Sequence, residues 1–292
     1  MNLAIMRFSA LGDIAAAMPT WNTLPWKPVV ITSPLGKALL EDEYDQFLVL
    51  ENKKLATVYQ LIKTIRKQRF ELILDYQGND RSKAITFLSG VRHFNAKGAD
   101  ISNGAAYIHH QVTQKLAPQL KLDLNFTPKP RDYIVFNTGS SAKWASKRLP
   151  AHKWEAFAIE AYERFGLPIK FTGAHDEVDY VNELTRNIKV PHSNVAGKTS
   201  LTELKSLLRN SFLTVSTDSA AMHLSAAMKT PTIGIFGATN WIIANPFGPW
   251  STVLHDPELQ CPSASQLTVD PNIYERIDLS QGLETLAPYL QE

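Results

Sequence analysis

The chain has 292 residues, with 30 Lys and Arg against 28 Asp and Glu, 44% hydrophobic residues, 17 Pro, 14 Gly and one Cys. An apolar fraction near half excludes disorder as the main state and is enough to fill one large domain or two of ordinary size. A formal charge of +2 argues against a dedicated nucleic-acid binder, which carries a strongly basic domain, and the single Cys261 closes neither an internal disulfide nor a cysteine-rich zinc site.

In chain order, residues 1–18 are apolar, but Arg7 and Asp13 interrupt the stretch that a secretory segment keeps unbroken, so they read as mature protein. No run of eighteen apolar residues follows. Strands are expected at residues 3–7, 29–32, 47–50 and 72–75. Leu55, Val58, Tyr59, Ile62 and Ile65 fall at helical spacing between the last two. The other positions of this helix, residues 53–69, include Lys53, Lys54, Lys63, Arg66, Lys67 and Arg69. That basic face is either ordinary solvated helix surface or a place for contact with an anionic membrane or acidic acceptor. Residues 127–132, Thr-Pro-Lys-Pro-Arg-Asp, suit neither a helix nor a central strand and read as a linker between domains at 1–127 and 128–292. A second series follows, with strands at 133–137, 169–172, 212–216 and 232–236 and helices at 154–165, 201–209 and 220–228. Residues 255–272 are irregular, and 279–290 form a terminal helix. Short β-rich runs alternating with helices predict two α/β halves with parallel sheets, facing one another across the Pro-rich hinge. Clefts between domains are where small ligands bind.

Three loops hold the chemistry. The first, residues 7–14, follows the first strand; Gly12 permits a tight turn, and Asp13 then stands at the carboxyl edge of the sheet as either a general base or a helix N-cap. The second, residues 137–150, combines small residues, hydroxyls and cations in a way that suits a phosphate or diphosphate as well as it suits a plain polar loop; it is not a P-loop. The third, residues 216–228, opens an Ala-rich helix whose free N–H groups and positive dipole end would receive a diphosphate. Asp218 and His223 there are also readable as a cap and a packed core residue.

The motifs R-x-S-x-L-G-D from Arg7, L-D-Y-Q-G-N-x-R-S from Leu74, the loop from Gly139 ending K-R-x-P, G-K-T-S-L-T-E-L from Gly197, D-S-x-x-M-H-L from Asp218 and P-T-I-G-I-F-G from Pro231 occur in that order. As an ordered set they resemble glycosyltransferase family 9, the lipopolysaccharide heptosyltransferases, over nearly the whole chain. The resemblance implies an α/β GT-B fold, two Rossmann-like domains with parallel sheets facing across a cleft. The acceptor would lie on the first domain, the donor mainly on the second, and the terminal helix back on the first. It implies inversion at the anomeric carbon with no metal or other cofactor, and the chain holds no D-x-D triplet, the usual cation holder of the other large glycosyltransferase fold.

By the same resemblance Asp13 is the catalytic base, and Lys147 faces the donor phosphates with Ser140 and Ser141 beside it. Asp218, Ser219, Ala220, Ala221 and Met222 hold the sugar and diphosphate with His223 alongside, Lys198 and Thr199 form the nucleotide-side loop, and Glu177 meets the ribose. The implied partners are a nucleotide-diphosphate sugar and a lipid-linked or oligosaccharide acceptor, with no nucleic acid. Heptose from ADP-heptose comes first, and a hexose or N-acetylhexosamine donor is the alternative. The implied location is cytoplasmic, with a peripheral place at the inner face of the inner membrane. A nucleotide-sugar epimerase, with Glu177 and Asp179 as candidate acid/base groups, and a non-catalytic nucleotide-sugar binder are the rival functions. The chain departs from the family pattern at Ala220, where a glycine is common, and in a compact acceptor region at residues 95–121.

Overall fold

A strand with every side chain buried belongs at the centre of a sheet covered on both faces, and β1 (Leu3–Met6), Leu-Ala-Ile-Met, is such a strand. The computed structural model describes residues 1–291; Glu292, with which the expected second domain ends, lies outside them. The chain divides into two compact units, Met1–Asp123 and Leu124–Glu292.

In the first unit β1 is followed by α1 (Leu11–Trp21), β2 (Val29–Thr32), α2 (Pro34–Leu40), β3 (Phe47–Val49), α3 (Leu55–Gln68), β4 (Leu72–Asp75), α4 (Asp80–Ser89), β5 (His93–Asn95) and α5 (Ala105–Gln114). The sheet order is β3-β2-β1-β4-β5, and all pairs are parallel. The chain therefore winds outward from β1, returns, and continues on the other side. Loops leaving β1 and β4 diverge at that reversal, which is where open α/β sheets bind ligands. Of the stripe expected on α3, Ile62 and Ile65 are buried with Ala4, Ile31 and Ile73, and Val58 packs against them, whereas Leu55 and Tyr59 are exposed and Leu61 takes an inward place instead.

The second unit repeats the plan. It comprises β6 (Ile134–Asn137), α6 (Ala151–Phe165), β7 (Ile169–Thr172), α7 (Val178–Thr185), β8 (His192–Asn194), α8 (Leu201–Arg209), β9 (Thr214–Thr217), α9 (Ala220–Ala227), β10 (Thr232–Ile235), β11 (Ser251–Leu254) and α10 (Leu279–Thr285). Its parallel sheet runs β11-β10-β9-β6-β7-β8, so the reversal falls between β6 and β9. Leu279, Leu283 and Leu286 of the terminal segment are buried in this unit's own core with Ile233 and Leu254.

Both parallel sheets follow the α/β expectation, and most long elements lie within a few residues of their expected places. The elements that periodicity did not reveal are short or weakly patterned. β8, His-Ser-Asn, is an edge strand with two exposed residues, and α4 has apolar residues on no single face. No helix among the described residues is long and apolar enough to cross a membrane. Because Ile65 is fully buried, Ile65→Ala should lower unfolding free energy by about 2–4 kcal/mol, read from the urea midpoint at unchanged slope.

Candidate active site

Each reversal point carries one half of the expected chemistry. In the first unit the loop after β1 begins with Arg7, whose side chain is buried and whose two terminal nitrogens are both engaged. One terminal nitrogen donates to the Tyr76 carbonyl, and the other lies 2.7 Å from Asp13 Oδ2. Asp13 is the third residue of α1, and Ala10, not Asp13, is the N-cap. The expected capping chemistry nevertheless falls to Asp13, because the Ala10 N–H donates to the same Oδ2 at 2.9 Å. The Asp13 side chain remains 44% exposed. Burial pushes its carboxyl up, but the Arg7 guanidinium, the Ala10 N–H and the nearby His109 together outweigh this and hold it below the usual carboxylate range. The result is an anionic acceptor that is fixed in place and open to solvent.

The loop after β4 clamps this arrangement. Asp75 is fully buried, and its Oδ1 accepts from Gln77 N and Gly78 N at 3.0 Å each, while Oδ2 accepts from Ser82 Oγ at 2.8 Å. Burial drives the Asp75 carboxyl upward against those three bonds. Gly78 takes a left-handed φ of +63°, which only glycine adopts freely. The turn so formed aims Gln77 Oε1 at two backbone donors, Phe8 N at 2.9 Å and Ser9 N at 3.0 Å. The motif from Leu74 to Ser82 is thus a brace for the Asp13 loop, a role that its residues do not announce singly. Beside the brace, a pocket of about 320 Å³ is bounded by Ser9, Ala10 and Ile14 of the first loop and helix, and by Leu50, Lys53 and Arg81.

In the second unit the loop after β6 turns through Gly139 and Ser140 into a short 3₁₀ segment, Ala142–Lys147. Lys147 Nζ lies 2.8 Å from Asp218 Oδ2 and 3.2 Å from the Asp218 carbonyl, both groups largely buried. Asp218 is therefore not the cap of α9; Ser219 is, and its hydroxyl makes no capping bond. That hydroxyl is instead held by Asn137 Nδ2 at 3.0 Å, while Thr172 donates to Asn137 Oδ1 at 3.0 Å and Thr217 donates to the Gly139 carbonyl at 3.1 Å. Three side chains that the sequence reading did not single out, Asn137, Thr172 and Thr217, stitch the two loops together. Their signal was available: each is the last residue of a strand bordering or next to the reversal.

The remaining expected residues divide by accessibility. Ser141 is exposed, whereas Ser140 donates its hydroxyl to the Trp144 carbonyl at 2.7 Å and offers its own carbonyl to Arg148 at 2.6 and 3.1 Å. Arg148 also lies 4.1 Å from the Tyr180 ring centroid, so it braces the loop from beneath. Glu177 is buried; its Oε2 accepts from Ala174 N at 2.7 Å and would stand 2.1 Å from a Cβ placed on Gly139. Burial raises the Glu177 carboxyl, with Arg148 pulling the other way. Lys198 is exposed and donates to the Asn194 carbonyl at 2.8 Å, with Thr199 half-buried beside it. Ala220 is half-buried at the opening of α9, Ala221 and Met222 are buried, and His223 is 8% exposed. Met222 Sδ lies where a Cβ on Gly234 would come within 2.5 Å, so its side chain packs on the sheet and only its backbone serves the helix opening.

Comparison with known proteins agrees with this architecture. The family model for glycosyltransferase family 9 (heptosyltransferase) matches residues 105–271. Lipopolysaccharide heptosyltransferase 3 of Escherichia coli is 25% identical over 237 residues, 68% of each chain. Among solved structures, a glycosyl transferase family 9 protein from Veillonella parvula superposes with a TM-score of 0.74 at 15% identity, covering 98% of this chain and 96% of that one. The E. coli ADP-heptose lps heptosyltransferase II gives 0.72 at 17% identity over 99% and 98%. At such identities the structural likeness concerns the fold, the GT-B arrangement of two parallel α/β sheets.

The Gly139 contact yields a local test. Gly139→Ala should destabilise by about 1–3 kcal/mol because the new methyl displaces the Glu177 carboxylate, and a Glu177→Ala background should remove most of that penalty in a double-mutant cycle. An equal penalty in both backgrounds would show that the glycine makes room for something else.

Proposed function

We propose a specific reaction for this chain, which belongs to glycosyltransferase family 9 (heptosyltransferase): transfer of heptose from ADP-heptose to a hydroxyl of a lipopolysaccharide core or related glycan, with inversion and without a catalytic metal. The donor and acceptor follow the names of its relatives, a lipopolysaccharide heptosyltransferase and an ADP-heptose lps heptosyltransferase. The observation that carries the chemistry is the Asp13 carboxylate, kept ionised by Arg7 at 2.7 Å and still 44% exposed. A general base must be charged and reachable, and the Asp13 carboxylate is both.

In this reading the acceptor is held by residues 1–127, in the pocket beside Asp13, and the donor by residues 128–292. The Asp13 carboxylate takes the proton of the attacking hydroxyl as the bond to the anomeric carbon forms. As the glycosidic bond to the diphosphate breaks, negative charge grows on the β-phosphate. Lys147 and the N–H groups of Ala220, Ala221 and Met222 at the opening of α9 stabilise it. Asp218 keeps the ammonium in position before the donor arrives, at 2.8 Å, and offers a carboxylate to the sugar hydroxyls. Ser140, Ser141 and His223 border the phosphates and sugar, Lys198 and Thr199 the nucleotide, and Glu177 the ribose. Because the base is matched in charge before substrate binds, little reorganisation is left for the chemical step.

Purified chain supplied with ADP-heptose and a truncated core acceptor should form product with inverted anomeric configuration, at a rate that EDTA does not change. Asp13→Asn should lower kcat by about 10²–10⁴ and leave the donor Kd unchanged. Lys147→Ala should weaken donor binding and lower kcat by about 10²–10³. Since Asp13 lies below its ordinary 3.8, kcat/KM should hold no acid limb from this group between pH 5 and 7. Retention of full kcat by Asp13→Asn contradicts the assignment.

A further inference from the structure

The outer faces of α3 and α4 form a surface that the transfer chemistry does not use. Along the flank of the buried stripe of α3, positions four apart read Leu55, Tyr59, Lys63 and Lys67, with Arg66 beside the last. Leu55 is 88% exposed and Tyr59 55%, and Lys63 Nζ sits 4.7 Å from the Tyr59 ring centroid. α4 packs alongside α3, and its last turn leaves Phe87 78% and Leu88 49% exposed. Arg66 joins the two helices by donating to the Leu88 carbonyl at 2.6 and 3.1 Å. Residues 53–69 contain six cations and no acid. On α4, Asp80 is matched by Lys83 at 3.7 Å.

Large apolar groups projecting among cations match one kind of surface. An anionic bilayer accepts rings and aliphatic chains into its headgroup layer while its phosphates meet the ammonium and guanidinium groups. A nucleic-acid backbone would recruit the cations but leave Leu55 and Phe87 in water. The stripe on α3 is about 20 Å long, and it starts at the pocket. Lys53, just before α3, lines that pocket together with Leu35, which is 63% exposed.

We propose that the α3–α4 face seats on an anionic phospholipid bilayer. Leu55, Tyr59, Phe87 and Leu88 enter the headgroup layer, and Lys63, Arg66 and Lys67 lie on the lipid phosphates. The mouth of the pocket then opens at the membrane, where a lipid-anchored acceptor presents its sugar. The identity of that acceptor rests on the proposed transfer; the seating does not.

Flotation of the full chain with vesicles tests this. The chain should rise with phosphatidylcholine vesicles containing phosphatidylglycerol at low salt and stay behind with phosphatidylcholine alone. The pair Lys63→Glu and Lys67→Glu should weaken partition about tenfold or more, and the pair Leu55→Ser and Phe87→Ser should weaken it comparably. Both should leave the melting temperature and transfer to a delipidated acceptor unchanged. Absence of partition, partition that either pair leaves intact, or preferential retention of a DNA duplex overturns the proposal. Absence of transfer to the delipidated acceptor in the unaltered chain, with vesicle binding present, would instead overturn the assigned reaction.

Discussion

The contact between Arg7 and Asp13 is the constraint around which the first unit is arranged. A guanidinium taken from water is costly unless its charge and its N–H groups are met. Here a carboxylate meets the charge at 2.7 Å and the Tyr76 carbonyl meets another donor. Asp13 is in turn fixed by the Ala10 N–H at the first turn of α1, so the pair locks the loop to the helix. The Asp75 turn and Gln77 then hold the loop from the neighbouring strand. The part of the carboxylate that these bonds leave open is exposed to solvent.

The second unit meets the same requirement for Lys147. Its ammonium is held close to the Asp218 carboxylate, and the two loops of the β6/β9 reversal are sewn together by short polar side chains at strand ends. Glycine has a spatial use here: Gly139 admits the Glu177 carboxylate, Gly234 admits Met222, and Gly237 lies where a Cβ would meet Tyr274 at 2.7 Å. In a site built by close approach of loops, missing side chains are as specific as present ones.

Much of this was readable in the chain itself. Buried parallel strands leave continuous apolar runs, and so β1, β2, β4 and β6 stood out; on α3 the spacing found Ile62 and Ile65 but also took in Leu55 and Tyr59, which are exposed. Asp13 and Asp218 could be picked because each stands close behind the end of a strand, whereas the family resemblance alone marked Lys147. Pairwise geometry was not readable. Nothing in the spacing says that Asp218 turns to Lys147, 71 residues away, or that Gln77 braces a backbone 69 residues earlier. Edge strands such as β8 and β11 lack the apolar run because one flank has no neighbour, and short helices such as α2 and α7 carry too few turns for a period to register. Caps misled for a related reason: a carboxylate one turn into a helix can serve the same N–H as one at its start.

The measurement that bears most directly on the central claim is the pH dependence of kcat/KM for Arg7→Gln beside the unaltered chain. Removal of the guanidinium leaves burial as the main influence on Asp13, so the account predicts an acid limb displaced upward in pH, with the rate recovering on the alkaline side where the carboxylate ionises again. A loss of rate equal at every pH, with the limb unmoved, would mean that Arg7 does not set the charge of Asp13 and that the base of this site lies elsewhere.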